Sequence, residues 1–150
     1  MKSKRKAIKD LTQSKIVNIS DYRDLRTGRE SRALAFVTEK PADFEALNKD
    51  LPEGMQFEFF DSRFSFEQSM KNKDWAAVFL DERSLKDDAL QLCEKLKRQN
   101  KMEELIVFVL SNSGDKDLIR RGFEKGCDEW ITKIDDSQGM IRLLGHHLDF

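Results

Sequence analysis

Trp75-Ala76-Ala77-Val78-Phe79-Leu80-Asp81 is the stretch from which the fold is read. Six apolar residues run without a polar one to face water, which suits a strand covered on both sides, the condition of a central strand in a parallel sheet. The acid that closes the run falls at the carboxyl end of that strand, where parallel sheets bind their ligands. Outward from it, the runs 33–38, 55–60, 105–110 and 129–132 are also short and β-rich, and longer segments of helical period separate them. This alternation is the signature of βαβ units, so an α/β fold with a doubly wound, five-stranded parallel sheet is expected. Residues 55–60 read Met-Gln-Phe-Glu-Phe-Phe, with polar residues interleaved, and are expected at the sheet edge.

Each connecting segment carries helix signals. Pro41 suits the first turn of a helix reaching about Asp50, which Pro52-Glu53-Gly54 then breaks. A second helix is expected over 62–73 and a third from about Lys86 to Asn100, where Ala89, Leu92, Cys93 and Leu96 mark one buried face. Asp115 can cap a fourth, with Leu118, Ile119 and Phe123 as its apolar stripe and Gly126 at its stop. The fifth is expected over Ser137 to Leu148. The aromatic patch of Phe57, Phe59, Phe60, Phe64 and Phe66 reads as core around the second helix.

Composition limits the function classes. The 150 residues are 39% hydrophobic and 37% charged, which fits one folded domain with a small core. No apolar run approaches the roughly 18 residues of a membrane span, and no apolar signal-type region follows Met1 to Lys6, so a cytoplasmic location is expected. Cys93 and Cys127 are far apart and lack metal-ligand spacing, which leaves them as core residues. Residues 1–32 hold ten Lys/Arg against four Asp/Glu, whereas the remainder is acidic. Residues 1–31 are therefore read as a flexible basic arm, with an element docked near 16–25 as the alternative, and residues 32–150 as the domain. Such an arm suits nucleic acid or an anionic membrane, but equally serves as a solvating tail. His146 and His147 have no third ligand at metal spacing, and the chain has no GxSxG, GxGxxG or GxxxxGK[ST] motif.

The strand ends carry the chemistry. The first strand ends in Thr38-Glu39, the third in Asp81-Glu82, the fourth in Ser111-Asn112 and the fifth in Thr132-Lys133. Convergence of carboxylates, a hydroxyl and a lysine suits phosphoryl transfer: carboxylates hold Mg²⁺, one attacks phosphorus, and the hydroxyl and ammonium neutralise the phosphoryl oxygens. A competing reading of Asp81 is a capping carboxylate at a strand end. Over about residues 33–148 the chain resembles the receiver (CheY-like) domain of response regulators. Ala76 to Asp81 resembles the strand that ends in the family's phosphoacceptor, Val109-Leu110-Ser111 the strand that ends in its hydroxyl residue, and Gly122 to Lys133 the stretch that leads to its lysine.

This resemblance implies a flavodoxin-like (βα)5 fold of strand order 2-1-3-4-5. It further implies Asp81 as phosphoacceptor, Ser111 and Lys133 as its partners in catalysis, Glu39 and Asp81 as Mg²⁺ ligands, and Trp130 at the position of the family's switching aromatic. A histidine kinase or phosphotransfer protein would supply the phosphoryl group, and no other catalysis is implied. Output would pass to a downstream protein, or to a second copy in a homodimer, through the face of the fourth helix, fifth strand and fifth helix. Several positions depart from the pattern. Thr38 stands where one of two adjacent acids is usual, Leu85 and Ala89 replace a Pro and a Gly, Asn112 replaces a small residue, and Ile134 follows Lys133 in place of Pro. Thr38, Asn112 and Ile134 favour the alternative of a pseudo-receiver, an interaction module that works without phosphorylation. An adaptor for nucleic acid acting through residues 1–31 is the third reading.

Overall fold

A computed structural model of the chain describes residues 33–99 and 105–150. The basic arm and the element near 16–25 lie outside the described residues. Five strands form the sheet: β1 (Leu34–Val37), β2 (Phe57–Phe60), β3 (Ala77–Asp81), β4 (Ile106–Leu110) and β5 (Glu129–Ile131). All pairs are parallel and the order is β2-β1-β3-β4-β5, so the expected doubly wound, flavodoxin-like topology is observed. The interleaved strand, β2, is at the edge as its pattern predicts.

Both faces of the central strands are covered, which explains their unbroken apolar sequences. Ala35, Val37, Val78, Leu80, Val107 and Val109 face one layer, and Leu34, Phe36, Ala77, Phe79, Phe108 and Leu110 face the other. On the second face Phe36 is in register with Phe79, and Phe79 with Phe108. Their rings lie 5.3 and 4.4 Å apart, a stacked ladder across three strands. Ring pairs of this kind add about 0.5–1.5 kcal/mol each beyond their area burial.

The helices are α1 (Arg63–Ser69), the single turn α2 (Glu82–Leu85), α3 (Asp87–Gln99), α4 (Lys116–Glu124) and α5 (Ser137–Leu148). Ser62, Asp115 and Asp136 cap α1, α4 and α5 by accepting from backbone N–H groups. These side chains satisfy donors that a helix start leaves free. The α5 bounds are those expected, and Gly126 has the positive φ of 105° that its position after α4 requires.

Four expectations are corrected. The helix expected from Pro41 to Asp50 is a pair of 3-10 turns, Pro41–Asp43 and Glu45–Asp50. Phe44 and Leu47, three residues apart, are both buried here, and a 3-10 turn aligns side chains at that spacing. Asn48 is meanwhile drawn to β2, where its side-chain oxygen accepts from Phe57 N–H at 2.8 Å. The helix expected over 62–73 ends at Ser69, whose hydroxyl donates to Phe66 O and accepts from the Trp75 indole. A break also precedes α3: Lys86 takes a φ of 56° between α2 and α3. Buried Leu85, where the family pattern has Pro, anchors the extra turn. The stripe expected on α4 is rotated outward, with Leu118 and Ile119 half-buried and Phe123 48% exposed. Gly122 is instead the buried residue of α4, its bare Cα face close against Trp130. Finally, Phe64 does not join the aromatic core and is 70% exposed, while Phe66, two residues on, is fully buried.

Candidate functional site

Where β1, β3 and β4 end, the backbone brings Thr38, Asp81 and Ser111 together, the three buried polar residues among those described. Parallel register makes this arrangement: Val37 pairs with Leu80 and Asp81 with Leu110, so the following residues emerge on one edge. Asp81 is 1% exposed. A carboxylate so placed needs hydrogen bonds on its oxygens, because an uncompensated buried charge costs several kcal/mol.

It has them in full. Oδ1 accepts from the backbone N–H of Arg83 at 3.1 Å and from its guanidinium Nε at 2.9 Å. Oδ2 accepts from Nη2 of the same guanidinium at 3.1 Å and from the Thr38 hydroxyl at 2.8 Å. A carboxylate has about four lone-pair positions, and four donors reach this one. The fork geometry is the strong, bidentate form of the Arg–carboxylate pair. Its mark is on the guanidinium, whose pKa is held above the usual arginine range by the hydrogen bonds to Asp81. Arg83 is steadied further by the Phe44 ring, 5.3 Å from its guanidinium carbon.

Glu82, between the two, turns the other way. Its Oε1 accepts from the Ser111 hydroxyl at 2.8 Å, and the same Ser111 oxygen accepts from Ser113 N–H at 3.0 Å. Ser84 completes the clasp, accepting from Glu39 N–H at 3.2 Å and donating to Asp81 O at 3.3 Å. Residues 81–84 thus tie the loop after β1 to the loop after β4.

Two of the expected site residues stand apart from this network. The Glu39 side chain is exposed and only its backbone takes part. Lys133 is exposed too, and its ammonium has no hydrogen bond or ion pair among the described residues. Trp130 is half-buried against α4: a Cβ on Gly122 would stand 2.5 Å from its Cζ3. Its indole Nε1 is buried without a partner among the described residues. Asn112 is exposed at the rim. Glu82 is marked in the sequence only as a strand-end acid without a role, and Arg83 and Ser84 are not marked at all, although an Arg two residues after a strand-end acid is the available signal, since that spacing allows a guanidinium to fold back onto a capping carboxylate.

A divalent hard cation requires about six oxygen ligands in the case of Mg²⁺. The residues present do not fit it: the one buried carboxylate is saturated and neutralised by a guanidinium, its neighbour on β1 is a hydroxyl donor, and Glu39 is turned to solvent. Among the described residues no three His, Cys, Asp or Glu side chains group as metal ligands.

Order of strands, layers and the acid at the end of β3 together decide the architecture. The fold is that of a response-regulator receiver domain. The chain is similar to the BeF3-activated DrrB receiver domain of Thermotoga maritima, with 20% identity over 79% of this chain and 97% of that one, at a TM-score of 0.67. It is also similar to a CheY-like receiver domain protein from Methanospirillum hungatei JF-1, with 14% identity, 78% and 93% coverage and a TM-score of 0.67. A third neighbour is an atypical orphan response regulator described as having a phosphorylation-independent regulatory mechanism, with 19% identity, 79% and 96% coverage and a TM-score of 0.65. Identities this low carry the receiver fold and no residue roles. No protein-family model and no curated protein matches the sequence. Among the described residues of this receiver fold, no helix is long and apolar enough to cross a membrane.

Proposed function

We propose that this receiver-fold chain is a non-catalytic signalling module that works through protein–protein contacts and does not depend on phosphoryl transfer to Asp81. The observation that carries the reading is the saturation of the Asp81 carboxylate by Arg83 and Thr38. An acceptor must present a free oxygen lone pair to phosphorus, and here each oxygen already accepts two hydrogen bonds. The cation that would steady a phosphoryl group is replaced by one that is part of the chain. Lys133 and Glu39, the other members of a phosphotransfer set, are turned to solvent.

The protein partner would meet the face of α4, β5 and α5, where Phe123 is 48% exposed. A second copy of the chain could use the same face. Work in the cytoplasm accords with this reading. The similar fold of an orphan regulator with a phosphorylation-independent mechanism supports it as a precedent.

The competing reading is phosphorylation of Asp81 by a histidine kinase or phosphotransfer protein, with Mg²⁺. It requires Arg83 to swing away, and its guanidinium arm is 29% exposed, so the path to water is open. Incubation with Mg²⁺ and acetyl phosphate, followed by intact mass spectrometry, separates the two. The proposed function predicts an unchanged mass for the wild type. A phosphate adduct that is absent from Asp81→Asn would overturn it.

A further inference from the structure

The site has a continuous route of hydrogen bonds to α4, and it starts at Glu82. The Ser111 hydroxyl donates to Glu82 Oε1 at 2.8 Å, so the proton of that hydroxyl is committed and its lone pairs face the loop. One of them takes Ser113 N–H at 3.0 Å. Ser113 Oγ then accepts from Asp115 N–H at 3.0 Å, and Asp115 Oδ1 accepts from Asp117 N–H at 2.8 Å, which caps the first turn of α4. Meanwhile Ser111 N–H donates to Ile131 O at 2.9 Å, which ties the same residue to β5 beside Trp130. Every step from the carboxylate to the helix cap joins a donor to an acceptor at ordinary hydrogen-bond length.

We infer that Glu82 is a positioning residue that sets the loop 111–115 and the first turn of α4 from inside the chain, acting as the anion that orients the Ser111 hydroxyl. The inference deepens the proposed function, because it names how the α4 face is held in one conformation, and it rests on the reading that no outside anion fills the site. A hydroxyl with a fixed strong acceptor has one rotamer, and its oxygen then presents lone pairs in one direction. Without that acceptor the hydroxyl turns to water and Ser113 N–H loses a fixed partner. Glu82 is half-buried at the first position of α2 and belongs to neither core cluster, so its removal should leave the sheet packing intact. The pair Asp81 and Glu82 therefore divides the labour: one carboxylate is closed by Arg83, and the other reaches across to β4.

Hydrogen exchange by mass spectrometry on the full chain tests this, with a peptide covering 111–119 as readout and the β1 strand as an internal control of folding. Glu82→Ala and Ser111→Ala should each speed exchange in that peptide roughly tenfold, the scale of one hydrogen bond to a charged group, while β1 is unchanged. Glu82→Gln keeps an acceptor oxygen and should stay within about threefold of the wild type, since a neutral acceptor holds a hydroxyl less strongly than a carboxylate. In the double variant Glu82→Ala/Ser111→Ala the two effects should not add, because both cut the same route. Unchanged exchange in Glu82→Ala, or additive effects in the double variant, would overturn the inference. If β1 exchange also rises in Glu82→Ala, Glu82→Gln decides: exchange in 111–119 as fast as in Ser111→Ala rejects the route. Acetyl phosphate labelling at Asp81 with the exchange pattern as expected would sink the proposed function and leave the Glu82 route standing.

Discussion

Arg83 grips both oxygens of Asp81, with Nε 2.9 Å from Oδ1 and Nη2 3.1 Å from Oδ2, although the two residues are only two apart in sequence. The turn of α2 makes this local clasp, since Asp81 caps it by accepting from Arg83 N–H. The two partners are not equivalent. Asp81 is buried and Arg83 reaches the surface, with side chains 1% and 29% exposed.

That asymmetry sets the first prediction. Arg83→Ala leaves a buried carboxylate with the Thr38 hydroxyl and one backbone N–H, and should cost about 2–3 kcal/mol, the lower range for breaking a buried pair because the arginine end is partly screened. Asp81→Asn keeps two acceptor or donor atoms in place and lets Arg83 turn to water, so it should cost less, about 1 kcal/mol. Urea denaturation of the two variants checks the order. A smaller loss for Arg83→Ala than for Asp81→Asn would show that the guanidinium does not compensate the buried charge.

Much of the architecture is legible in the sequence because burial on both faces leaves a continuous mark. Trp75 to Leu80 and Leu105 to Leu110 have no polar residue, and both become central strands. The interleaved residues 55–60 likewise become the edge. Ser111 and Asp81 converge as expected, because strand register carries them to one level. The 3-10 turns at 41–50 are not legible, since an i, i+3 pair such as Phe44 and Leu47 fits α and 3-10 geometry alike. Nor is the saturation of Asp81: whether an exposed-looking Arg folds back or extends depends on the turn at Glu82–Leu85, which a local pattern of Glu-Arg-Ser-Leu does not specify.

Phe64 and Phe66 give a second test, because sequence treats them alike and the fold does not. Phe66 packs edge-on to Phe60 at 5.5 Å and is fully buried, so Phe66→Ala should cost roughly 3–5 kcal/mol by removing a core ring. Phe64→Ala removes a ring that is 70% exposed and should change stability by no more than about 0.5 kcal/mol. Thermal unfolding of the two variants is sufficient. Comparable losses would mean that α1 presents the other face to the sheet.

The cysteines should be silent until the chain opens. Burial pushes the thiols of Cys93 and Cys127 up to about 12. At pH 8 the thiolate is then about one part in ten thousand at each, and the thiolate is the reacting form. Labelling with a thiol-reactive disulfide reagent should therefore follow the opening rate and be fast only in denaturant. The sign for stability follows from the same shift. An unfolded thiol ionises near about pH 8.5 and the folded one does not, so the unfolded state loses protons first. Stability from these two groups is complete below about pH 8.5 and falls as pH rises from there toward 12. Denaturation midpoints at pH 7 and pH 10 for the wild type and for Cys93→Ala/Cys127→Ala should differ in slope, the double variant being the less sensitive to alkali.

Gly122 and Trp130 make the last test, which concerns the face a partner would meet. An alanine methyl at 122 would stand 2.5 Å from Cζ3 and 2.7 Å from Cε3 of the indole, closer than carbon atoms approach. Either the ring moves or α4 does. Overpacking of this kind costs about 1–3 kcal/mol. Gly122 has ordinary helical backbone, so alanine there also gains some helix propensity, about 1 kcal/mol, and the net loss should be about 0–2 kcal/mol. Relief must come from one of the two sides of the contact. Trp130→Leu removes the ring, so Gly122→Ala should cost little in that background, and the double-mutant cycle should show a coupling above about 0.5 kcal/mol. Indole fluorescence adds a direct readout: with Trp75→Phe to leave one tryptophan, Gly122→Ala should shift the Trp130 emission to longer wavelength as the ring leaves its half-buried seat. Additive energies and an unmoved emission band would mean that the indole does not hold α4, and that the orientation of Phe123 is set elsewhere.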